Sequence, residues 1–242
     1  MRAGNAGTYR EFTYDGSYEG FLCVAVKCIN LRVFPQRVEV ADGVDGSACH
    51  VRTNYEIAAK MHDFLSDRAS VQLQQMVVDG FLTDMDDRER ALIDLIARAV
   101  KFGACVADDY EHKNLRRIHE AILDLYREEQ SFFVDLMPVE YKDAKTAVIN
   151  PRNRVLPVMK NDIIRKTDFA NLLIYDKRHN MVLFKKDEMD DIVDIRKIML
   201  HDRDDVRNVY DSVWQYLADG NHLTGRRIKK RADPERLWYI AG

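Results

Sequence analysis

No stretch of this 242-residue chain holds the roughly 20 consecutive apolar residues that a membrane-crossing helix needs. The opening residues Met1-Arg2-Ala3-Gly4-Asn5 contain no apolar core of the kind a secretory signal carries. The sequence therefore reads as cytoplasmic, with no membrane partner. Charge of one sign is also missing: 37 Lys and Arg against 40 Asp and Glu leave a net charge of -3. A nucleic-acid binder of this composition must rely on local basic patches, because phosphate contacts need Lys or Arg beside the backbone whatever the total.

Cysteine is sparse. Cys23, Cys28, Cys49 and Cys105 form no Cys-x-x-Cys pair, and no two histidines sit at zinc-finger spacing. Their wide separation is equally poor for an iron–sulfur cluster, so they read as buried or free thiols, and no metal or cofactor is implied. The phosphate-cradling loops Gly-x-x-x-x-Gly-Lys-Ser/Thr and Gly-x-Gly-x-x-Gly are absent, as are Gly-x-Ser-x-Gly and His-Glu-x-x-His. Carboxylate runs do occur, at Asp84-Met85-Asp86-Asp87 and Asp187-Glu188-Met189-Asp190-Asp191. Such runs are ordinarily solvated faces or helix starts.

What is present is a periodic, well-punctuated chain. Residues Thr8 to Tyr14 alternate aromatic and polar side chains, as a short strand does. Asp15-Gly16 turns, Ser17 caps, and Phe21 to Ile29 supplies a buried helix. Asp42 to Gly46 is a loop by its turn residues. From Asn54 to Gly103 the apolar spacing is helical, and a further helix is expected over Asn114–Glu129. The texture then changes. Ser131–Val139 and Lys145–Ile149 read as strands joined by the polar Glu140-Tyr141-Lys142-Asp143. Leu156–Lys166 reads as a helix with Pro157 tolerated in its first turn. Asn171–Tyr175 and Met181–Phe184 read as strands around the turn Asp176–Asn180, and a last helix spans Asp204–Leu217. These elements predict an α+β fold with a helical N-terminal half packed on a small, mainly antiparallel sheet in strand–strand–helix–strand–strand order. One domain over residues 1–242 is expected, mainly helical over 8–130, sheet-containing over 131–186, and closing with a helix and tail over 187–242.

Three segments can present charge to an acidic partner. The first is the corner holding Arg152 and Arg154 between Pro151 and Pro157, followed on the helix by Lys160 and Arg165. The second is the turn Asp176-Lys177-Arg178-His179. The third is the tail, where Arg226, Arg227, Lys229, Lys230 and Arg231 precede Trp238 and Tyr239. Cations beside aromatics neutralise phosphates and stack on bases. Each segment also has an ordinary reading: a structural corner, a charged hairpin tip, and a solvated tail with aromatics anchored on the core. Asp176 and His179 are the only candidates for acid–base chemistry, and a lone histidine at a turn more commonly just faces solvent.

Taken in order, several of these segments resemble a bacterial family of probable DNA metabolism or DNA repair proteins. Tyr14-Asp15-Gly16-Ser17-Tyr18-Glu19-Gly20-Phe21-Leu22 is similar to its Tyr-Asp-Gly-Ser-Phe-Glu-Gly-Phe-Leu signature. Pro151-Arg152-Asn153-Arg154-Val155-Leu156-Pro157 resembles its Pro-Lys-Asn-x-Val-Leu-Pro element, and Ile174 to His179 its Ile-Tyr-Asp-x-x-His strand end. Trp214 and Pro234-Glu235-Arg236-Leu237-Trp238 echo its close. The resemblance implies a companion of a radical-SAM protein, in relatives sometimes fused to a uracil-DNA-glycosylase-like domain that has no counterpart in these residues. It supplies no catalytic residues. The chain departs from the family pattern in two places. Glu128-Glu129-Gln130 stands where relatives have Glu-Ala-His, and Asp135 where they have Arg. Of the pattern His-Phe-x-x-Arg, only Arg165 remains.

The functional expectation is an accessory protein of DNA metabolism or repair, binding nucleic acid, a radical-SAM partner, or both. Two alternatives stand beside it: an enzyme on nucleic acid using Asp176 and His179, and an interaction scaffold with no nucleic-acid role.

Overall fold

The structure, a computed structural model, describes residues 10–41, 48–136, 138–186, 189–195 and 206–218. It is an α+β protein with seven α-helices and two sheets among the described residues. The chain divides into two compact units, Met1–Asp124 and Leu125–Gly242, and the division falls inside the long helix α5, Lys113–Asp135. Among the described residues no helix is long and apolar enough to cross a membrane.

Unit 1 begins with β1 (Glu11–Tyr14), the central strand of a three-stranded sheet. Its neighbours β2 (Arg37–Val40) and β3 (Cys49–His50) both run parallel to it. Neither neighbour was expected from the sequence: Arg37-Val38-Glu39-Val40 alternates polar and apolar, but over four residues only, and Cys49–His50 is two residues long. Between β1 and β2 runs α1 (Tyr18–Leu31). Its expected cap is in place: the Ser17 hydroxyl accepts from the Gly20 N–H at 3.0 Å. The helical stretch after Asn54 resolves into three helices, α2 (Tyr55–Phe64), α3 (Val71–Leu82) and α4 (Arg88–Phe102). Leu65–Ala69 forms a π-helical turn between the first two. Asp87 stands at the start of α4, so the first carboxylate run does open a helix. Gly103 ends α4 at φ 72, a conformation that favours glycine. Phe21, Leu22, Leu73, Val77, Leu92, Ile96 and Ile118 fill the core of this unit. The loop expected at Asp42–Gly46 lies outside the described residues.

Unit 2 opens with the end of α5, and here one sequence expectation fails. Ser131–Asp135 continues the helix, and the first strand, β4, is only Val139–Tyr141. An established helix gains one hydrogen bond for each residue added, and that outweighs the weak β preference of a Phe/Val-rich run. The turn to β5 (Ala144–Ile149) is correspondingly tighter, with Lys142 at φ 54. After it come α6 (Leu156–Lys166), β6 (Asn171–Asp176) and β7 (Met181–Lys186), all close to their expected positions. A fifth strand, β8 (Met189–Asp194), occupies part of the second acidic run, which is therefore sheet edge rather than a helix start.

The strand order is β4-β5-β6-β7-β8. Only β5 and β6 are parallel, since α6 carries the chain back to the starting end; the other three pairs are antiparallel. Helix α7 (Val206–Ala218) lays Val209, Tyr210 and Val213 on Leu173, Tyr175, Val182 and Phe184. Successive strand side chains alternate in direction, so Leu172, Ile174 and Leu183 are buried on the other face. Helix α6 packs against β7 and β8.

Candidate nucleic-acid interface

The register Ile149↔Asp176 brings the carboxyl ends of β5 and β6 side by side, and the Lys177 N–H donates to the Ile149 carbonyl at 3.0 Å just beyond the last pair. Two loops therefore leave the sheet together. One is the corner Asn150–Val155, the other the turn Lys177–Asn180. Each is fixed by a carboxylate.

Glu128 of α5 fixes the corner. Its Oε1 accepts from the Arg152 N–H at 2.6 Å, and its Oε2 accepts from the Asn153 N–H at 2.8 Å and the Asn153 side-chain amide at 2.7 Å. Asn153 is buried while Arg152 is exposed and Arg154 half-buried, so the corner turns its amide inward and keeps its guanidiniums near the surface. The backbone N–H of Val155 donates to the Asn153 carbonyl and tightens the entry to α6.

Asp176 fixes the turn. The residue is fully buried, and its Oδ1 accepts from the N–H groups of Arg178 and His179, both at 3.0 Å. Its Oδ2 lies 2.7 Å from His179 Nδ1. A carboxylate bonded to the backbone two and three residues on is the ordinary brace of an Asx turn. It also holds the imidazole with Nδ1 toward the acid and leaves Nε2 as the ring's other functional atom. Lys177 and Arg178 are exposed. The two loops thus gather Arg152, Arg154, Lys177 and Arg178 at one end of the sheet.

The other candidates do not join them. Lys160 lies in the interior of unit 2 at 8% exposure. Its ammonium is 3.0 Å from Asp190 Oδ1 and 3.5 Å from Asp191 Oδ1, and it donates to the Asp190 carbonyl at 3.3 Å. Burial raises the Asp191 pKa, and the Lys160 charge opposes that rise. An ammonium committed to two carboxylates has no capacity left for a phosphate, so Lys160 is a structural cation. Arg165 lies in the last turn of α6, about 14 Å along the axis from the corner at the helix rise of 1.5 Å per residue. It pairs with Asp162 at 3.3 Å, and Asp162 is held below the usual carboxylate range chiefly by its hydrogen bond from Lys166. Arg226, Arg227, Lys229, Lys230 and Arg231 lie outside the described residues, as do Trp238 and Tyr239.

Sequence reasoning missed Glu128. It lies 24 residues from the corner it organises, on a helix whose other residues give it no distinction. The one available signal was the run Glu128-Glu129-Gln130 itself, in the place where the resembled family has Glu-Ala-His.

Among the described residues, no group of three His, Cys, Asp or Glu side chains is arranged to hold a metal ion. Of the four free thiols, Cys23 and Cys28 are buried, and burial pushes the Cys28 thiol up to about 12. A comparison of the chain with protein-family models finds no match, and a search of the curated proteins finds none either.

Proposed function

We propose that this chain is a nucleic-acid-binding accessory protein of DNA metabolism, with the β5/β6 end of unit 2 as its interface and a radical-SAM protein as its working partner. The observation that carries the nucleic-acid part is the convergence of Arg152, Arg154, Lys177 and Arg178 on two adjacent, internally braced loops. Cations held on ordered loops lose less conformational freedom on binding than cations on a floppy segment. Each phosphate neutralised releases counterions and steepens the salt dependence by roughly 0.9 in log–log slope on duplex DNA. The radical-SAM part rests on the family resemblance of the N-terminal signature, the corner and the turn.

Fluorescence anisotropy with single- and double-stranded DNA over a salt series tests the reading. The expected slope is about -3 to -4 for four contacts, and it collapses in a variant carrying Arg152→Ala, Arg154→Ala, Lys177→Ala and Arg178→Ala. Binding that ignores salt, or a quadruple variant that binds like the parent, removes the interface.

The Asp176–His179 contact favours a second reading, in which the imidazole performs acid–base chemistry on a bound nucleic acid. Asp176 orients the ring, and Nε2 is the atom that exchanges a proton. His179→Ala separates the two readings: it leaves anisotropy unchanged in the first and abolishes turnover of a nucleic-acid substrate in the second.

A further inference from the structure

Strand β8 ends the five-stranded sheet, and among the described residues it pairs only with β7. In an edge strand the N–H and C=O groups of alternate residues point away from the neighbour and can template one more strand. Here the open edge runs for six residues. Asp190, Ile192 and Asp194 lie on one face of it, Asp191 and Val193 on the other.

The acids of this edge are only partly answered from within the sheet. Asp190 and Asp191 share the single ammonium of Lys160, at 3.0 and 3.5 Å, and stay 35% and 38% exposed. The two lysines at the end of β7 are engaged elsewhere. Lys185 donates to the Thr167 carbonyl at 3.5 Å, and the Lys186 ammonium lies 5.0 Å from the centre of the Trp214 ring. The edge therefore offers backbone hydrogen-bonding groups along a row of net negative charge.

A second copy of β8 is a poor occupant. With Ile192 opposite Ile192 in an antiparallel pair, Asp190 meets Asp194 on either side, and like charges directly opposed destabilise a ladder. The occupant that fits is an extended segment with cations at those positions and an apolar residue between them. The chain carries one in Arg226-Arg227-Ile228-Lys229-Lys230-Arg231. With Ile228 opposite Ile192, Arg226 and Lys230 fall opposite the two aspartates of that face, whichever way the added strand runs. Lys229 or Arg227 then falls opposite Asp191 on the other face.

Helix α7 carries the chain toward this edge. In its first half Tyr210 donates to Asp143 and Asp211 pairs with Lys142, both in the turn between β4 and β5. One turn later Trp214 packs edge-on against Phe184 of β7, with ring centres 6.2 Å apart. The helix thus crosses the sheet from the β4–β5 side toward β7, the strand beside β8, and ends at Ala218 one turn further on. Residues 219–225 supply up to about 23 Å of extended chain before Arg226, enough to reach either end of a six-residue strand.

We propose that residues 226–231 dock on β8 as a sixth strand, so that the basic tail is held on the acidic edge of its own sheet. The docking uses none of the β5/β6 loop cations, and it stands whether or not those loops bind nucleic acid. It also sets a competition, because a polyanion that takes the tail cations must first strip them from the β8 aspartates.

Hydrogen exchange of the full chain, read by mass spectrometry on peptides covering β6, β7 and β8, tests the docking. In the parent the β8 peptide exchanges slowly, including the amides that face away from β7. Reversing the tail charges with Arg226→Glu, Arg227→Glu, Lys229→Glu, Lys230→Glu and Arg231→Glu speeds β8 exchange about tenfold and leaves β6 and β7 as they were. Ile228→Pro keeps every charge but cannot sit in a paired strand, and it gives the same selective loss. Dilution of the parent changes nothing, since the added strand comes from the same chain. Fast β8 exchange in the parent, or protection that survives either tail variant, overturns the proposal. Protection lost on dilution also overturns it and assigns the edge to the tail of a second copy. The quadruple variant of the unit 2 loops protects β8 as the parent does, so a failure here and a failure of the nucleic-acid interface are told apart.

Discussion

Glu128 holds Asn153 twice, through the backbone N–H at 2.8 Å and through the side-chain amide at 2.7 Å. With the bond to the Arg152 N–H, one carboxylate serves three donors of the corner. Replacing Glu128 with Ala leaves the buried amide of Asn153 without this acceptor. The expected loss is about 1–3 kcal/mol in urea unfolding, the range for a buried hydrogen-bonding group stripped of a charged partner. DNA affinity falls in the same variant although no cation has been removed. An unchanged midpoint would show that the corner holds itself.

Lys160 and the four loop cations separate by experiment. Lys160→Met keeps the aliphatic packing of the side chain and removes the charge that faces Asp190 and Asp191. Those two carboxylates are each about a third exposed, at 35% and 38%, so solvent screens part of the loss. Thermal or urea unfolding is expected to register about 1–2 kcal/mol of destabilisation, with the salt slope of DNA binding unaltered. A reduced slope would return Lys160 to the interface.

Glu19 imposes a pH dependence of definite sign. Its carboxyl titrates at 4.5 in the unfolded reference and at about 7 in the fold, so the folded state holds the extra proton between those values. The stability contribution tied to that proton is complete below the lower value and is lost as pH rises through the upper one. Urea midpoints for unit 1 signals are expected to decline from about pH 5 to about pH 8. Glu19→Gln flattens that decline, and a parent profile that rises over the same interval contradicts it.

Gly20 is constrained by contact. A Cβ there would lie 2.3 Å from Asp15 Oδ1, 2.8 Å from the Thr53 hydroxyl and 3.0 Å from the Ser17 hydroxyl. Gly20→Ala therefore displaces the Asp15 side chain and the helix cap together, and a lost cap alone is worth about 1 kcal/mol. Circular dichroism melts are expected to show destabilisation despite the better helix propensity of alanine. A neutral or stabilising result would mean that the Asp15 side chain relocates without loss.

What could be read from the chain was local. Leu156–Lys166 is marked by signals within its own sequence: Pro157 in the first turn and apolar residues at helical spacing. Ser17 likewise announces α1 from one position outside it. Misreadings occurred where a partner distant in sequence decides. The strands Arg37–Val40 and Cys49–His50 pair with Glu11–Tyr14, and the alternation of the first and the two residues of the second are too short to announce a strand alone. Lys160 looks like a surface cation until Asp190 and Asp191 arrive from 30 residues on. The convergence of the corner and the turn follows from the parallel register of β5 and β6, which no periodicity encodes. The charged residues of both loops were visible, and so was Asp176 as a candidate, whereas its bracing of the turn and the part played by Glu128 were not.

The crossover through α6 also orders events in time. The β6–β7 hairpin can form from neighbouring residues on the microsecond scale, whereas pairing β5 with β6 requires the intervening segment to close first. The Lys177–Ile149 hydrogen bond lies past the last paired residues of that slower match. On that order Arg178 and Lys177 are expected to be in place before Arg152 and Arg154 join them, and binding at the proposed interface would then report completion of the sheet. In a refolding experiment with labelled DNA present, the anisotropy signal is expected to trail the far-ultraviolet signal, and simultaneous recovery would place the crossover early.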